Sequence, residues 1–179
     1  MDQNTKGLQS RKIVQINFVV EDPYRIKESW GQLLNGSKVY EYTLPSSDLV
    51  PIYTDGMMEE CDDVKTVKYV LDDHVVLAFW MPGEKDNPWK RHLEKNGESF
   101  MNIEFVVDDL IQTYDLLKEV CNVEKPYHFG LYPDFIYSFA DTKEILATDL
   151  NIGMKGDWKQ CRDLWLSENK EEGNDDEDL

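Results

Sequence analysis

The sequence predicts an α+β fold in which two tandem βαβββ modules form one curved mixed sheet around a central cavity, with helices outside. Three observations carry this. Gln15-Ile16-Asn17-Phe18-Val19-Val20-Glu21-Asp22 and Asn102-Ile103-Glu104-Phe105-Val106-Val107-Asp108-Asp109 are nearly the same octapeptide, 87 positions apart. The hydrophobic pattern after each copy runs through the same order of strand, helix and further strands. The chain of 179 residues is long enough for one domain, or two intimately packed halves, with a proper core.

Taken in order, residues 1–11 are polar and expected to fray. The first module covers 12–83. Residues 12–20 alternate and are rich in Ile and Val, which marks a strand; Pro23 starts a helix that turns Ile26, Trp30 and Leu33 or Leu34 inward and stops at Asn35-Gly36. Residues 38–44 alternate again. Residues 65–71 and 74–81 form a hairpin around Asp72-Asp73 that ends at Pro82-Gly83. The stretch 45–63 is longer than an ordinary connection and is either a lid over the cavity or a surface insertion. In the connector 84–99, Asp86-Asn87-Pro88-Trp89 opens a short helix that ends at Asn96-Gly97. The second module, 100–153, has a strand at 100–107, a helix near 109–120 with Leu110, Tyr114 and Leu117 inward, and a strand near 123–128. Its hairpin is 134–140 with 144–152 around Asp141-Thr142-Lys143. Residues 154–166 carry Trp158, Cys161 and Trp165 at helical spacing, expected to dock on the domain exterior. A contact with a second subunit, giving a homodimer, is the sharper alternative.

Side chains alternate along the repeated strand, so Ile16, Phe18 and Val20 face the covering helix while Gln15 and Asn17 face the other way. The same parity places Asn102 and Glu104 on the concave side. Four polar groups are therefore expected to converge in one cavity.

A net charge of −17 and a pI near 4.4 oppose binding to nucleic acid or to anionic membrane surfaces. Part of that charge lies in 167–179, where Glu168, Glu171, Glu172, Asp175, Asp176, Glu177 and Asp178 against Lys170 read as a solvated, disordered tail. Cys61, Cys121 and Cys161 are odd in number and widely spaced, which implies neither a disulfide framework nor a thiolate metal site. The start lacks the apolar run of a signal peptide and no stretch suits a membrane span, so a cytoplasmic protein is expected. Phosphate loops, dinucleotide fingerprints, nucleophile elbows and paired-histidine zinc motifs are absent from the sequence.

The repeated order, the segment Asn87-Pro88-Trp89-Lys90-Arg91-His92-Leu93-Glu94-Lys95-Asn96-Gly97-Glu98 and the strand opening at Asn102 together resemble the vicinal oxygen chelate superfamily. That superfamily includes glyoxalase I, methylmalonyl-CoA epimerase, extradiol dioxygenases and bleomycin-resistance proteins. The resemblance covers about 12–153, and the connector is most similar to epimerase-like members. It implies metal ligands at Gln15, Ala78, Asn102 and Asp149. Ala78 has no donor atom, Asn102 stands for a histidine, and Asp149 is shorter than the usual glutamate. The implied metal site is eroded. With Glu104 added, an all-oxygen set would suit magnesium, manganese or calcium rather than zinc.

Glu104 is the first candidate catalytic residue, since a carboxylate in a partly apolar cavity can act as a base on a carbon acid; otherwise it pairs with Asn17 or a lysine across the sheet. Asp149 has the same two readings. Gln15, Asn17, Asn102, Trp80, Tyr137 and Phe139 are candidate ligand-binding residues, with Tyr53, Met57 and Met58 nearby; plain core packing is the alternative for Trp80 and Phe139. His74 shares a face with Ala78 and is either a displaced ligand or an ordinary hairpin residue. His92 and His128, on the connector helix and in a loop, are weak ligand candidates. Two functions follow. One is a glyoxalase- or epimerase-like isomerase or lyase that removes a proton next to a carbonyl, with Gln15 and Asn102 orienting the oxygen. The other is a non-catalytic protein that sequesters a small molecule, as bleomycin-resistance proteins do. A scaffold acting through the C-terminal helix and acidic tail is a third.

Overall fold

The computed structural model describes residues 7–71 and 75–167; His74 and the tail from 168 lie outside the described residues. Ten strands form one curled mixed sheet. In the first half, β1 (Ile13–Val19), α1 (Pro23–Leu33), β2 (Val39–Thr43), β3 (Ile52–Thr54), β4 (Met57–Glu59), β5 (Lys65–Leu71) and β6 (Val75–Met81) follow one another, and α2 (Pro88–Asn96) connects to the second half. There β7 (Ser99–Val107), α3 (Leu110–Cys121), β8 (His128–Tyr132), β9 (Phe135–Ala140), α4 (Lys143–Leu146) and β10 (Asp149–Lys155) precede α5 (Lys159–Ser167).

The strand order is β2-β5-β6-β1-β7-β10-β9-β8-β3-β4. Without β3 and β4 it reads alike from either end, as two copies of a βαβββ unit require. In each half the opening strand pairs in parallel with the closing one, and β1 meets β7 antiparallel at the seam. Each unit's helix starts where the repeated octapeptide ends. Asp22 and Asp109 accept hydrogen bonds from Tyr24 N and Gln112 N, and so satisfy backbone donors at the first turns. Gln9, in the segment expected to fray, accepts from both Asp108 N and Asp109 N at 2.9 Å.

Three local expectations change. The stretch 45–63 contains a hairpin, β3–β4, whose β3 pairs with β8 and so extends the second half of the sheet. The strand expected near 123–128 begins only at His128, because Pro126 has no N–H for a ladder and pairing resumes beyond it. The strand expected from 144 begins at Asp149: Ile145 N and Leu146 N both bond back to Thr142 O, closing a helical turn that ends with Ala147 at φ 61°.

The core is divided by the sheet. On the helix-covered faces, Val67, Tyr69, Leu77 and Phe79 pack beneath Ile26 and Trp30, and Leu110, Tyr114 and Leu117 pack over Leu131, Leu150 and Ile152. The C-terminal helix belongs to this second cluster. Trp165 is 3% exposed, with its ring 5.2 Å from that of Tyr114 and 5.1 Å from that of Phe129, while Trp158 Nε1 donates to Tyr132 O. The tryptophan face of α5 is thus covered by its own chain. No helix among the described residues is long and apolar enough to cross a membrane.

Truncating Trp165 to Ala leaves a large void in this cluster. It is expected to cost about 3–5 kcal/mol in urea unfolding, whereas Leu164→Ala, at a half-exposed position on the same helix, is expected to change stability by well under about 1 kcal/mol.

Candidate functional site

Sheet register determines which side chains reach the concave face. Across the seam, Gln15 is opposite Glu104 and Asn17 opposite Asn102. One row continues through Glu104, Asn151, Phe139, His128 and Thr54, and another through Lys68, Ala78, Asn17, Asn102 and Asp149. A cavity of about 330 Å³ opens over these rows. Gln15, Asn17, Lys68, Glu104 and Asn151 supply its polar lining, and Tyr42, Trp80, Trp89, Tyr132, Phe135, Tyr137 and Phe139 its aromatic wall.

The room above the sheet depends on two glycines. Gly130 and Gly153 are the register partners of Tyr137 on either side. A Cβ at Gly130 would lie 2.3 Å from the Tyr137 ring, and one at Gly153 would lie 2.5 Å from the Phe135 ring and 3.2 Å from Glu104 Oε1. Side chains there would fill the space that the aromatic rings and the carboxylate now share.

An amide network fixes the floor. Asn17 Oδ1 accepts from Gln15 Nε2 at 2.7 Å and from Trp80 Nε1 at 2.8 Å, and Asn17 Nδ2 donates to Asn102 Oδ1 at 2.7 Å. With its Nε2 committed to Asn17, Gln15 turns its oxygen to Lys68, whose ammonium donates to it at 3.0 Å. The same ammonium lies 4.8 Å above the Trp80 ring and 5.3 Å from the Tyr42 ring. Glu104 is 7% exposed and has no hydrogen-bond partner among the described residues, so its carboxyl looks into the cavity. Burial raises its pKa from 4.5 to about 7, partly offset by the Lys68 charge. Burial lowers that of Lys68 from 10.5 to about 8, with Glu104 opposing the fall. Each group is costly to ionise and each moderates the other's cost.

Most of the expected residues come together: Gln15, Asn17, Trp80, Glu104, Tyr137 and Phe139 line one cavity, whereas Asn102, fully buried beside Asn17 on the neighbouring strand, supports that lining without being part of it. Asp149 does not join them. It lines a separate recess with Arg91, His92, Tyr127 and Lys143, where Tyr127 Oη donates to its Oδ2 at 3.3 Å. Met57 and Met58 are exposed, and Tyr53 stacks on Phe129 outside the cavity. Among the polar lining residues, Lys68 and Asn151 were not singled out from the sequence. A turn of Asp72-Asp73 alone would pair Leu71 with His74 and put Lys68 opposite Leu77, under the helix. The observed pairing of Leu71 with Val75 sets Lys68 opposite Ala78 and turns it into the cavity.

The four implied ligand positions do not form a cage for a divalent ion, and Glu104 is the one carboxylate of the expected set that faces the cavity. The oxygens of Gln15 and Asn102 already accept hydrogen bonds, Ala78 offers no donor, Asp149 faces elsewhere, and an ammonium group stands beside the Gln15 oxygen, where it would repel a second cation. Among the described residues no three His, Cys, Asp or Glu side chains are grouped to hold a metal.

No family model matches the chain, and no curated protein matches it in sequence. Solved structures do match. A hypothetical protein from Bacillus halodurans C-125 is 14% identical with a TM-score of 0.58, over 82% of this chain and 95% of that one. A methylmalonyl-CoA epimerase in complex with methylmalonyl-CoA and an ammonium ion is 16% identical with a TM-score of 0.55, over 83% and 96%. The methylmalonyl-CoA epimerase of Mycobacterium tuberculosis is 11% identical with a TM-score of 0.58, over 87% and 95%. The likeness shows a fold shared with these epimerases, the one the vicinal oxygen chelate resemblance implied.

The perturbed pair has a signature in stability. Glu104 binds its proton more tightly in the folded chain, so stability falls as pH rises from about 4.5 to about 7 and is level above; Lys68 binds its proton less tightly, so stability recovers from about 8 to 10.5. Glu104→Gln removes the first change. Its stability relative to the unmodified protein is expected to improve by on the order of 3 kcal/mol between pH 4.5 and pH 8, measured by urea unfolding across that range.

Proposed function

We propose that the cavity takes a small carbonyl-containing molecule and that Glu104 moves a proton on the carbon next to the carbonyl, while Lys68 faces the carbonyl oxygen. One observation carries this reading: a buried carboxyl with a pKa near neutrality and an ammonium group line the same partly apolar cavity. A base with a pKa close to ambient pH combines a useful ionised fraction with real basicity. As the C–H bond breaks, its proton goes to Glu104 and its electron pair moves through carbon to the carbonyl oxygen, which becomes an enolate. Lys68 supplies hydrogen-bond donors and a positive charge where that negative charge develops, a contribution of about 3–4 kcal/mol for one preorganised donor. Gln15 acts as a positioning residue, because its oxygen holds the ammonium and its amide is anchored on Asn17.

The neighbour that holds methylmalonyl-CoA together with an ammonium ion supports the reading by analogy, since Lys68 brings an ammonium group of its own. Return of the proton to the same carbon would complete an isomerisation. A second reading, sequestration without chemistry, is favoured by the aromatic wall, which suits an apolar or planar ligand.

The two readings separate in deuterium oxide. With a panel of small 2-oxo acids, hydroxyketones and acyl thioesters, proton NMR is expected to show loss of the signal next to the carbonyl for at least one class. Glu104→Gln is expected to slow that loss by about 10²–10⁴-fold. Lys68→Met should slow it by about 10²–10³-fold and move the profile of the remaining rate to higher pH, because the charge that lowers the Glu104 pKa is gone. Saturable binding of a panel member with no exchange in any class would establish sequestration instead.

A further inference from the structure

Four polar side chains lead away from the cavity in a line. Tyr137 Oη is 3.2 Å from His128 Nε2, His128 Nδ1 is 2.8 Å from Thr54 Oγ1, and Thr54 Oγ1 donates to Glu59 Oε2 at 2.6 Å. Tyr137 lines the cavity, while Thr54 and His128 have no exposed surface. At the far end the Glu59 side chain is 18% exposed, with Arg91 4.0 Å away. The line therefore runs from the cavity, through fully buried side chains, to a partly exposed carboxylate at the surface. The inserted hairpin makes it: β3 sets Thr54 directly opposite His128, and β4 brings Glu59 alongside. Gly130 leaves the space in which the Tyr137 ring lies.

Counting hydrogens gives the line a direction. A carboxylate only accepts, so Thr54 spends its single hydroxyl proton on Glu59 and must itself accept from His128. His128 Nδ1 therefore carries a hydrogen. The imidazole is enclosed by the rings of Trp89, Phe139 and Tyr137, and burial, with Arg91 as a lesser cause, pushes its pKa down to about 3, so it is neutral and has only one N–H. Its Nε2 is then bare, and Tyr137 must donate to it. Every hydrogen in the line points outward, and the Tyr137 oxygen shows the cavity lone pairs and no proton.

We propose that Tyr137, His128, Thr54 and Glu59 form a proton relay that carries a proton from a ligand O–H or N–H in the cavity to Glu59 at the protein edge, and back. In one passage the ligand proton bonds to the Tyr137 oxygen, the Tyr137 proton to His128 Nε2, the Nδ1 proton to Thr54, and the Thr54 proton to Glu59. Each bond broken is matched by one formed, the three inner groups stay neutral, Glu59 loses its negative charge and the ligand gains one. The ligand group that meets Tyr137 is thus a donor, whereas a bare carbonyl oxygen belongs with Lys68. That assignment rests on the function proposed above, but the relay itself does not.

The relay is tested in the full chain with ¹⁵N-labelled histidine and no ligand. His128 is expected as a single neutral Nδ1–H tautomer at pH 7. Glu59→Gln still accepts from Thr54 and keeps the tautomer, but it removes the basic terminus, so exchange of the His128 ring hydrogen with deuterium oxide is expected to slow by about tenfold or more. Thr54→Val leaves Nδ1 without an acceptor and should switch His128 to the Nε2–H tautomer, whereas Thr54→Ser should restore Nδ1–H. An Nε2–H tautomer in the unmodified protein overturns the relay without any mutation, and so does equal exchange in the unmodified protein and Glu59→Gln. Failure of the carbonyl panel leaves these readouts untouched, so the two proposals fail separately.

Discussion

At the seam between the halves, β1 and β7 run antiparallel, with Gln15 across from Glu104 and Asn17 across from Asn102. Two copies of the same strand set side by side in opposite directions bring equivalent polar positions together on one face. The backbone ladder alone therefore decides that amides and a carboxyl share the floor of the cavity. A slip of one residue would turn the polar set under the helices and the apolar set Ile16 and Phe18 into the cavity, so burial on both faces enforces the register. The amide network then fixes orientations that the ladder leaves free. Asn17, almost fully buried, accepts two hydrogen bonds and donates one, and Gln15 has one side-chain orientation compatible with that arrangement.

On this floor the fold carries a charged pair that works against its own stability. Glu104 and Lys68 are displaced in pKa toward each other, to about 7 and about 8, so near neutral pH Lys68 is mostly charged and Glu104 divides between its carboxylate and carboxylic-acid forms, in an environment that disfavours ions. A buried pair of this kind is often less favourable than apolar packing of the same volume, and its retention is explained more readily by what it does than by what it stabilises. Ala78 is part of the same arrangement. The small side chain opposite Lys68 leaves room for the lysine stem to cross toward Gln15, so the change that removes a ligand from the expected cage makes space for a cation supplied by the chain itself.

Much of this was legible in the sequence. The repeated octapeptide gave the two units, their helices and the convergence of Gln15, Asn17, Asn102 and Glu104, because a period of two in a strand with one covered face leaves little freedom. What was hidden depended on the pairing register between strands. Lys68 reached the cavity through the spacing of a turn, and Asp149 sat at the same row as Asn102 yet opened to another recess. His128 looked like a loop residue beside Pro126 and proved to be a fully buried strand residue, because its partner Thr54 lies in a hairpin whose strands are only three residues each, too short to show a period. Single-residue signals of that kind acquire meaning only once the partner strand is known.

That hairpin has one more consequence. It departs from the chain within the first half yet completes the sheet of the second, covering the edge that β8 would otherwise present. The two copies are consequently no longer interchangeable. Severing the connector would release neither as a self-sufficient body, since one piece would carry a strap with nothing to clasp and the other an uncapped margin open to adventitious pairing with neighbouring chains. Symmetry built the vessel, and a single asymmetric loan between its halves makes them inseparable.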